Sequence, residues 1–325
     1  MIRRIIHLIK ESIKSPEKFI WVFKKKYLTI PSLDFLKKIK SKKIKLMYIS
    51  FWTFFSKKNL SFKNLYFKDS EAYNQFIFDF NQKNIVSEEI IKSLSYNGIV
   101  ILENILNHDN LNKLKNKIEE IEFLKKNEKF SSSDNYRLNI SEDKKRERFV
   151  YDPKNLNYFE LNQLTNSFSS LVYGKKLAPT RDLYIDYCHE IPEMKIRGDN
   201  FLHVDRFLPN LKILFSPFEI TLHDAPFSYA INSHKINNDY KNFFTNAKFF
   251  DETDEGSSKF IKKKKIITMK SNSAIIALTN GFHGRTSFER KGKRIILFHQ
   301  FNRSFSKMSF FNFLNFNKNN KHFSS

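Results

Sequence analysis

The sequence predicts a mainly β domain flanked by helices and preceded by a basic helical extension. From residue 182 onward, short apolar runs alternate with turn residues, as strands do, whereas two earlier segments carry apolar residues at helical spacing. Residues 1–70 hold 18 Lys and Arg against 4 Asp and Glu. We therefore predict an extension over residues 1–85, the β domain over residues 86–305 and an unpatterned tail over residues 306–325.

The extension begins with isoleucines at helical spacing among basic residues, which predicts a basic amphipathic helix. Such a helix either attaches to an anionic membrane surface or packs on the β domain with its lysines in water. We favour packing, but the aromatic run Phe51–Phe55 beside Lys57 and Lys58 keeps peripheral membrane contact through residues 1–70 as the alternative. The isoleucines are Ile2, Ile5, Ile6, Ile9 and Ile13.

The net charge of +23 is unusual for a chain of 325 residues. A basic surface is typical of proteins that bind nucleic acid, anionic membranes or acidic substrates. Nucleic acid is disfavoured here, because the sequence contains no signature of a nucleic-acid-binding module. The abundance of Lys, Asn, Ile and Phe is equally well explained by A/T-rich codons, which would raise the lysine content without any partner.

The cellular compartment is predicted from what the sequence lacks. The single cysteine, Cys188, excludes an intrachain disulfide and fits a reducing cytoplasm. Lys10 and Glu11 interrupt the N-terminal apolar pattern before it resembles a secretory signal. The longest apolar run, Leu46–Phe55, is shorter than the roughly 18 residues of a membrane-spanning helix. We expect a cytoplasmic protein, and the alternative is a cytoplasmic protein attached peripherally to the inner membrane surface.

The first elements of the β domain are mostly helical. Ser87 is the expected N-cap of a helix with Glu88 and Glu89 in its first turn, and Gly98 follows its end. The next elements are a buried strand, two further helices and a polar loop between those helices. They are predicted at Ile99–Leu102, Asp109–Lys126, Leu156–Leu171 and, for the loop, residues 127–147.

The second half of the domain is predicted to consist of strands and one solvated loop at residues 251–265. Side chains on a strand alternate between its faces, so Tyr184 and Asp186 lie opposite Leu183, Ile185 and Tyr187. The predicted strands are Leu183–Cys188, Lys212–Phe215, Glu219–His223, Ser273–Thr279 and Arg294–Phe301, together with one that carries His203 and Asp205.

The segment F-L-H-V-D contains the strongest candidate for chemistry. His203 and Asp205 are two residues apart, so on a strand they leave the same face. His283, in N-G-F-H-G-R, is the best candidate for a third ligand. Two histidines and a carboxylate on one face of iron leave three open positions, as in non-haem Fe(II) oxygenases. The alternative is a local hydrogen bond between His203 and Asp205, with His283 in a turn.

An arginine at the start of the last strand completes the candidate site. Arg294 lies eleven residues after His283 and opens an apolar run. Its planar guanidinium suits a carboxylate of a co-substrate. Arg285, Arg290 and Lys293 compete with it for this role, and Arg285, two residues from a ligand, is also a candidate for holding the substrate.

From about residue 97 to 301 the chain resembles the phytanoyl-CoA dioxygenase family of Fe(II)/2-oxoglutarate-dependent oxygenases. The motif H-x-D at His203 and Asp205 and the pair His283 and Arg294 match the family in order and spacing. Two further segments are similar to the family's opening strand and to its G-P-h-x-h-x-P-G-S-H signature: S-Y-N-G-I-V-I-L-E-N-I-L and A-P-F-S-Y-A-I-N-S-H-K. In the second segment Ala225 replaces the usual glycine, and Ile231-Asn232 replaces Pro-Gly. Asn tolerates a left-handed conformation and so suits the turn.

The resemblance implies a double-stranded β-helix, or jelly-roll, with packed helices. It implies Fe(II) on His203, Asp205 and His283, and 2-oxoglutarate and O2 as co-substrates, with the far carboxylate of 2-oxoglutarate on Arg294. Tyr184 or Asp186 would line the cavity. The presence of Asp205 favours hydroxylation over halogenation. The implied substrate is a small molecule, a lipid-like compound or a glycan. The alternative function is a non-catalytic jelly-roll protein that binds an anionic membrane surface or an acidic polymer.

Overall fold

The computed structural model describes residues 36, 38–59, 64–127, 136–140, 145–151, 158–174, 176–191, 202–205, 207–246, 260 and 262–301. Residues 39–301 form one compact unit. The predicted N-terminal amphipathic helix and the tail at 306–325 lie outside the described residues.

Short helices and strands alternate through the first half of this unit, and strands dominate the second half. The helices are α1 (Lys42–Asn59), α2 (Asn64–Phe67), α3 (Glu88–Asn97), α4 (His108–Lys126), α5 (Phe159–Tyr173) and α6 (Asn238–Asn246). The strands are β1 (Ile77–Asp79), β2 (Ile99–Glu103), β3 (Tyr136–Ile140), β4 (Arg146–Tyr151), β5 (Thr180–Cys188), β6 (Leu211–Ser216), β7 (Phe227–Ala230), β8 (Lys264–Ile267), β9 (Ser273–Leu278), β10 (His283–Arg285) and β11 (Gly292–Gln300).

The strands form two sheets that pack face to face. The larger has eight strands in the order β1-β2-β9-β6-β11-β5-β4-β3, and the smaller has the order β10-β7-β8. All pairings are antiparallel except that of β1 with β2. Apolar side chains of both sheets meet in one buried cluster, which includes Ile101, Ile275 and Ile296 of the larger sheet and Phe227 and Tyr229 of the smaller. The predicted mainly β jelly-roll fold is confirmed.

The predicted helix boundaries are largely confirmed by their caps. The Ser87 hydroxyl accepts from the backbone N–H of Ile90, and Gly98 ends α3 in a left-handed conformation at φ 77°. A side chain at Gly98 would also collide with the Nδ1 atom of His234, 2.4 Å from an added Cβ. Asn107 caps α4 in the same way as Ser87 caps α3. The α5 helix ends at Tyr173, two residues later than predicted.

The prediction of a loop over residues 127–147 is wrong. Residues 136–140 form β3, which pairs with β4, and β4 pairs in turn with β5. Every residue of β3 is exposed, although Tyr136, Leu138 and Ile140 alternate with polar residues as in a strand, a signal that the loop prediction overlooked. Cross-strand stacking supports its pairing, because the ring of Tyr136 on β3 stacks on that of Phe149 on β4 at 5.7 Å.

The predicted strand Glu219–His223 is also wrong, since only Ile220 forms an isolated bridge, with Met269. The Asp224 carboxylate accepts from the backbone N–H and the hydroxyl of Thr221, at 2.9 and 2.6 Å, and this closes a turn. Within the loop predicted at residues 251–265, β8 already begins at residue 264, while residues 251–259 lie outside the described part.

Part of the region assigned to the extension belongs structurally to the β unit. The strand β1 joins the larger sheet, although it precedes the boundary predicted at residue 86. The buried Lys235 donates to the backbone carbonyls of Asn64 and Lys68. Helix α1 packs against α6 and leaves apolar side chains exposed, Met47 among them. Peripheral membrane contact stays a prediction. None of the described helices is long and apolar enough to span a membrane.

Two buried histidines are expected to make the stability of the fold depend on pH. His299 is 1% and His234 is 0% exposed. Burial, followed by the charge of Arg181, lowers the pKa of His299 to about 3. Burial, followed by Lys235, lowers the pKa of His234 to about 3. In the unfolded chain both protonate near pH 6.5. Stability is therefore complete above that pH and falls as the pH drops toward 3.

Each of these histidines should cost about 1.4 kcal/mol per pH unit in this window. Urea unfolding at pH 7.5, 6.5 and 5.5 measures the slope. Replacing His299 by Gln should roughly halve it, whereas His108→Gln, at an exposed histidine, should leave it unchanged. A free energy of unfolding that stays constant from pH 7.5 to 5.5 would contradict this prediction.

Candidate metal centre

Backbone hydrogen bonds bring the segment around His203 alongside β10. His203 and His283 exchange N–H···O=C bonds in both directions, each 2.8 Å long, and the N–H of Asp205 donates to the carbonyl of Thr279. This is an isolated bridge and not a strand, so the prediction that a strand carries His203 and Asp205 is wrong. The segment is positioned by its partner β10, which is why the two ligand candidates still converge.

The three candidate ligands meet at one point between the sheets. The ligand atoms of His203, Asp205 and His283 all lie within 4.8 Å of one another. The Oδ2 atom of Asp205 is 3.6 Å from Nε2 of His283, and the two imidazole rings are 4.6 Å apart. Among the described residues this is the group of histidines, cysteines and carboxylates that could hold a metal ion. Two imidazoles and a carboxylate suit Fe(II).

The hydrogen bonding of His283 fits a ligand. Its Nδ1 lies 2.9 Å from the carbonyl oxygen of Gly281, so Nδ1 carries the proton and donates it. Its Nε2 therefore presents a lone pair, and this buried atom has no hydrogen-bond partner among the described atoms. A bond from the second ring nitrogen to a carbonyl is the usual means of fixing a metal-binding histidine. A buried lone pair left without a donor is expected where a metal ion binds.

Gly281 allows the close packing beneath this histidine. A Cβ at this position would lie 2.0 Å from the hydroxyl oxygen of Tyr229. That hydroxyl donates to the carbonyl of Leu278 at 2.8 Å. The ring of Phe227, on the same strand as Tyr229, stacks on His283 at 5.7 Å. The turn before β10 thus has room only for glycine, and the imidazole is held by an aromatic face.

Asp205 is held as a carboxylate by a neighbouring cation. The ammonium of Lys212 lies 3.0 Å from Oδ1 and 2.9 Å from Oδ2, and Nδ2 of Asn210 donates weakly to Oδ2 at 3.4 Å. Burial raises the pKa of Asp205, but the charge of Lys212 outweighs burial and holds that pKa well below its usual range. Asp205 is therefore ionised at neutral pH, as a metal ligand must be.

Three arginines surround Asp186. Arg148, Asp186 and Arg294 stand opposite one another on the adjacent strands β4, β5 and β11. Arg148 and Arg294 each donate to Asp186 at 2.6 Å, and Arg285 reaches it from the smaller sheet at 3.2 Å. Burial raises the pKa of Asp186, but Arg294, Arg285 and Arg148 together hold it far below the usual range. His283 and Arg285 are two apart on β10, so they leave the same side of that strand.

Of the four basic side chains that were candidates for binding a co-substrate carboxylate, two pair with carboxylates elsewhere. Arg290 donates to Asp224 from Nε at 2.9 Å, and Lys293 donates to Glu122 at 2.7 Å. Arg294 is 6% exposed, and Nη1 donates to the carbonyl of Ala225 while the buried Nε has no hydrogen-bond partner among the described atoms. Only Arg285 and Arg294, of the four, reach the Asp186 cluster.

Other sequence predictions concern the lining of the site. The ring of Tyr184 packs on that of Phe298 at 4.5 Å and lies 5.4 Å from the guanidinium of Arg148. Tyr184 and Asp186 therefore lie between the two sheets, and their contact with a co-substrate stays a prediction. In the turn of the A-P-F-S-Y-A-I-N-S-H-K segment, Asn232 adopts φ 65°, and Ala225 also adopts a positive φ, of 52°.

Two residues of the site, Lys212 and Arg148, were not predicted from the sequence. Lys212 interrupts the apolar run of β6, and a charge within a buried strand was a signal that a partner should be sought. Arg148 lies next to the segment interpreted as a loop, so its register opposite Asp186 was not visible. Both side chains reach their partners through pairings between strands distant in sequence.

No family model and no curated protein matches the chain. Several solved structures are similar in fold. AviO1 from Streptomyces viridochromogenes Tue57 is 17% identical, with 64% of this chain and 92% of AviO1 covered and a TM-score of 0.44. The non-heme alpha ketoglutarate dependent carbocyclase SnoK from nogalamycin biosynthesis is 10% identical over 68% of this chain and 85% of its own, with a TM-score of 0.45. EctD from S. alaskensis, solved with 2-oxoglutarate and 5-hydroxyectoine, is 14% identical, with 66% of this chain and 75% of EctD covered and a TM-score of 0.46.

Proposed function

We propose that the chain is an Fe(II)- and 2-oxoglutarate-dependent dioxygenase that hydroxylates an unactivated C–H bond. The observation that carries this proposal is the convergence of His203, Asp205 and His283, with the lone pair of His283 Nε2 buried and unmatched. The substrate class proposed is a small molecule, a lipid-like compound or a glycan. Iron bound there would, with 2-oxoglutarate and O2, supply the oxidant that inserts one oxygen atom into the substrate and releases succinate and CO2.

The residues of the chain have separate tasks in this proposal. His203, Asp205 and His283 would hold the metal ion and leave open positions on it for co-substrate and O2. Arg294 would bind the far carboxylate of 2-oxoglutarate, because a carboxylate buried between two sheets needs a fixed cation. The apolar surroundings formed by Phe227, Phe298 and Ile296 would exclude water from the reacting atoms.

The test is an anaerobic spectrum of purified protein with Fe(II) and 2-oxoglutarate. Chelation of iron by 2-oxoglutarate in the site produces a visible charge-transfer band. A folded protein that shows no such band would exclude the proposed chemistry. The alternative, a non-catalytic jelly-roll protein, would then be favoured, with its function sought in the basic N-terminal region.

Arg294 is expected to act on 2-oxoglutarate and not on the metal. Arg294→Ala should weaken 2-oxoglutarate binding by about 1.5–3 kcal/mol, the contribution of a hydrogen bond to a charged group, or at least about tenfold in Kd. Metal affinity should change little, since Arg294 contacts Asp186 and Ala225 and none of the three ligands. Titration of each ligand, followed by the charge-transfer band, measures both quantities.

Arg290→Ala is the matched control, because this arginine pairs with Asp224 away from the cluster. It should bind 2-oxoglutarate as the wild-type protein does. Loss of metal binding in Arg294→Ala, with 2-oxoglutarate affinity preserved for the remaining metal-bound fraction, would make Arg294 a purely structural residue.

A further inference from the structure

We propose that Lys212 is a positioning residue of the metal centre, which holds one oxygen of Asp205 so that this carboxylate binds the metal through the other oxygen alone. The inference rests on the proposed function, because it concerns the ligand set of that same site. It adds a fourth side chain, on β6, whose role is to set how many positions on the metal remain open.

The Asp205 carboxylate is held by short contacts to Lys212. The ammonium of Lys212 is within 3.0 Å of both carboxylate oxygens, and the side chains are only 13% and 17% exposed. Oδ2 faces the lone pair of His283 Nε2 at 3.6 Å and is therefore the oxygen placed to bind a metal. Oδ2 is also contacted by Lys212 at 2.9 Å and by Nδ2 of Asn210 at 3.4 Å, whereas Oδ1 has Lys212 as its hydrogen-bond donor among the described residues. A metal ion on Oδ2 would therefore leave Oδ1 to Lys212.

The position of Lys212 in the sheet leaves Asp205 as its charged partner. Its register partners are Ala277 on β9 and Gln300 on β11, so neither neighbouring strand offers it a charge. The rest of β6 is buried. An ammonium in this place is costly unless it meets an anion, and Asp205 is the carboxylate that it contacts. Lys212 is thus committed to Asp205 and fixes the orientation of the carboxylate before any metal binds.

The number of open positions on the metal is the chemical consequence. Two histidines and a singly bound carboxylate leave three positions, two for 2-oxoglutarate and one for O2. A carboxylate that binds through both oxygens would take one of the three. By holding Oδ1, Lys212 keeps that position free for the co-substrate.

The positive charge of Lys212 favours 2-oxoglutarate binding but lowers the affinity of the site for the metal ion. Two neutral imidazoles, the Asp205 carboxylate and the Lys212 ammonium sum to zero, whereas without the ammonium the set carries −1. Removing Lys212 should therefore tighten the binding of a divalent cation while it weakens the binding of 2-oxoglutarate. A lysine that only supports the fold would not separate these two affinities, because its loss would weaken both.

The experiment compares full-length wild-type protein with Lys212→Met and Lys212→Arg, with Co(II) as the metal probe. The visible bands of Co(II) report its coordination number, and their titration gives the affinity. Lys212→Met should bind Co(II) about tenfold tighter, bind 2-oxoglutarate at least about tenfold more weakly and show altered bands before 2-oxoglutarate is added. Lys212→Arg should restore the wild-type bands, because its guanidinium can also hold Oδ1.

Lys270→Met is the matched control, since this exposed lysine pairs with Glu103 and its loss changes the net charge by the same amount. Unchanged Co(II) bands in Lys212→Met, or a loss of both affinities, would overturn the role of Lys212. Absence of Co(II) bands in the wild-type protein, or bands that survive Asp205→Ala, would instead overturn the proposed function.

Discussion

Asp205→Ala is expected to abolish the charge-transfer band of the Fe(II)–2-oxoglutarate complex and the iron-dependent decarboxylation of 2-oxoglutarate. The substitution removes the anionic ligand and leaves the ammonium of Lys212, 2.9 Å from the lost carboxylate oxygen, as a cation beside the metal position. Both changes disfavour a divalent ion. His283→Ala should have the same effect, because it removes the buried Nε2 lone pair.

The two substitutions differ in what they do to the apo protein. Asp205→Ala leaves Lys212 without its carboxylate and should lower the free energy of unfolding, whereas His283→Ala mainly creates a cavity beside Phe227. Circular dichroism and urea unfolding establish that each variant is folded before the band is measured. Asp79→Ala, at an exposed carboxylate of β1, is the control and should keep the band. Full activity in Asp205→Ala or His283→Ala would remove that residue from the site.

Asp186→Ala should cause the largest loss of stability, about 3–5 kcal/mol, because it leaves buried cations without their anion. Arg294 contributes most of this cost, since it is 6% exposed, whereas Arg148 and Arg285 are 26% and 20% exposed and can reach water. The reduced pKa of Asp186 has the same origin. Its contribution to stability is present above the unfolded pKa near 4 and is lost as the pH falls below it.

Urea unfolding at pH 7.5 measures this loss. Because domains are stable by only about 5–15 kcal/mol, Asp186→Ala can leave little folded protein. The milder Asp186→Asn retains a hydrogen-bond acceptor and should lie between the wild type and Asp186→Ala. Glu289→Ala, which removes an exposed partner of His223, should cost at most about 1 kcal/mol. A loss below about 1 kcal/mol in Asp186→Ala would show that the arginines do not need this carboxylate.

The helices α3, α4 and α5 and the strands β2, β5, β6, β9 and β11 could be predicted from the sequence because their signals are local. The N-cap at Ser87, the left-handed end at Gly98 and the apolar face of α4 depend on neighbours in the chain. The strand β3 was missed because its alternating residues Tyr136, Leu138 and Ile140 lie in a polar stretch, and what holds this exposed strand is its pairing with β4. The predicted strand at Glu219–His223 failed for a different reason, since Asp224 satisfies the backbone there locally.

The residue types of the candidate site, and their order along the chain, were determined by the sequence. His203, Asp205, His283 and Arg294 were all identified from spacing and chemistry. Their environment was decided by the tertiary structure alone. The sheet pairings placed Lys212 on Asp205 and three arginines on Asp186, and the turn at Gly281 gave His283 its tautomer. These contacts join residues up to 108 positions apart, and since hydrogen bonds and charges act through space, no local pattern encodes them.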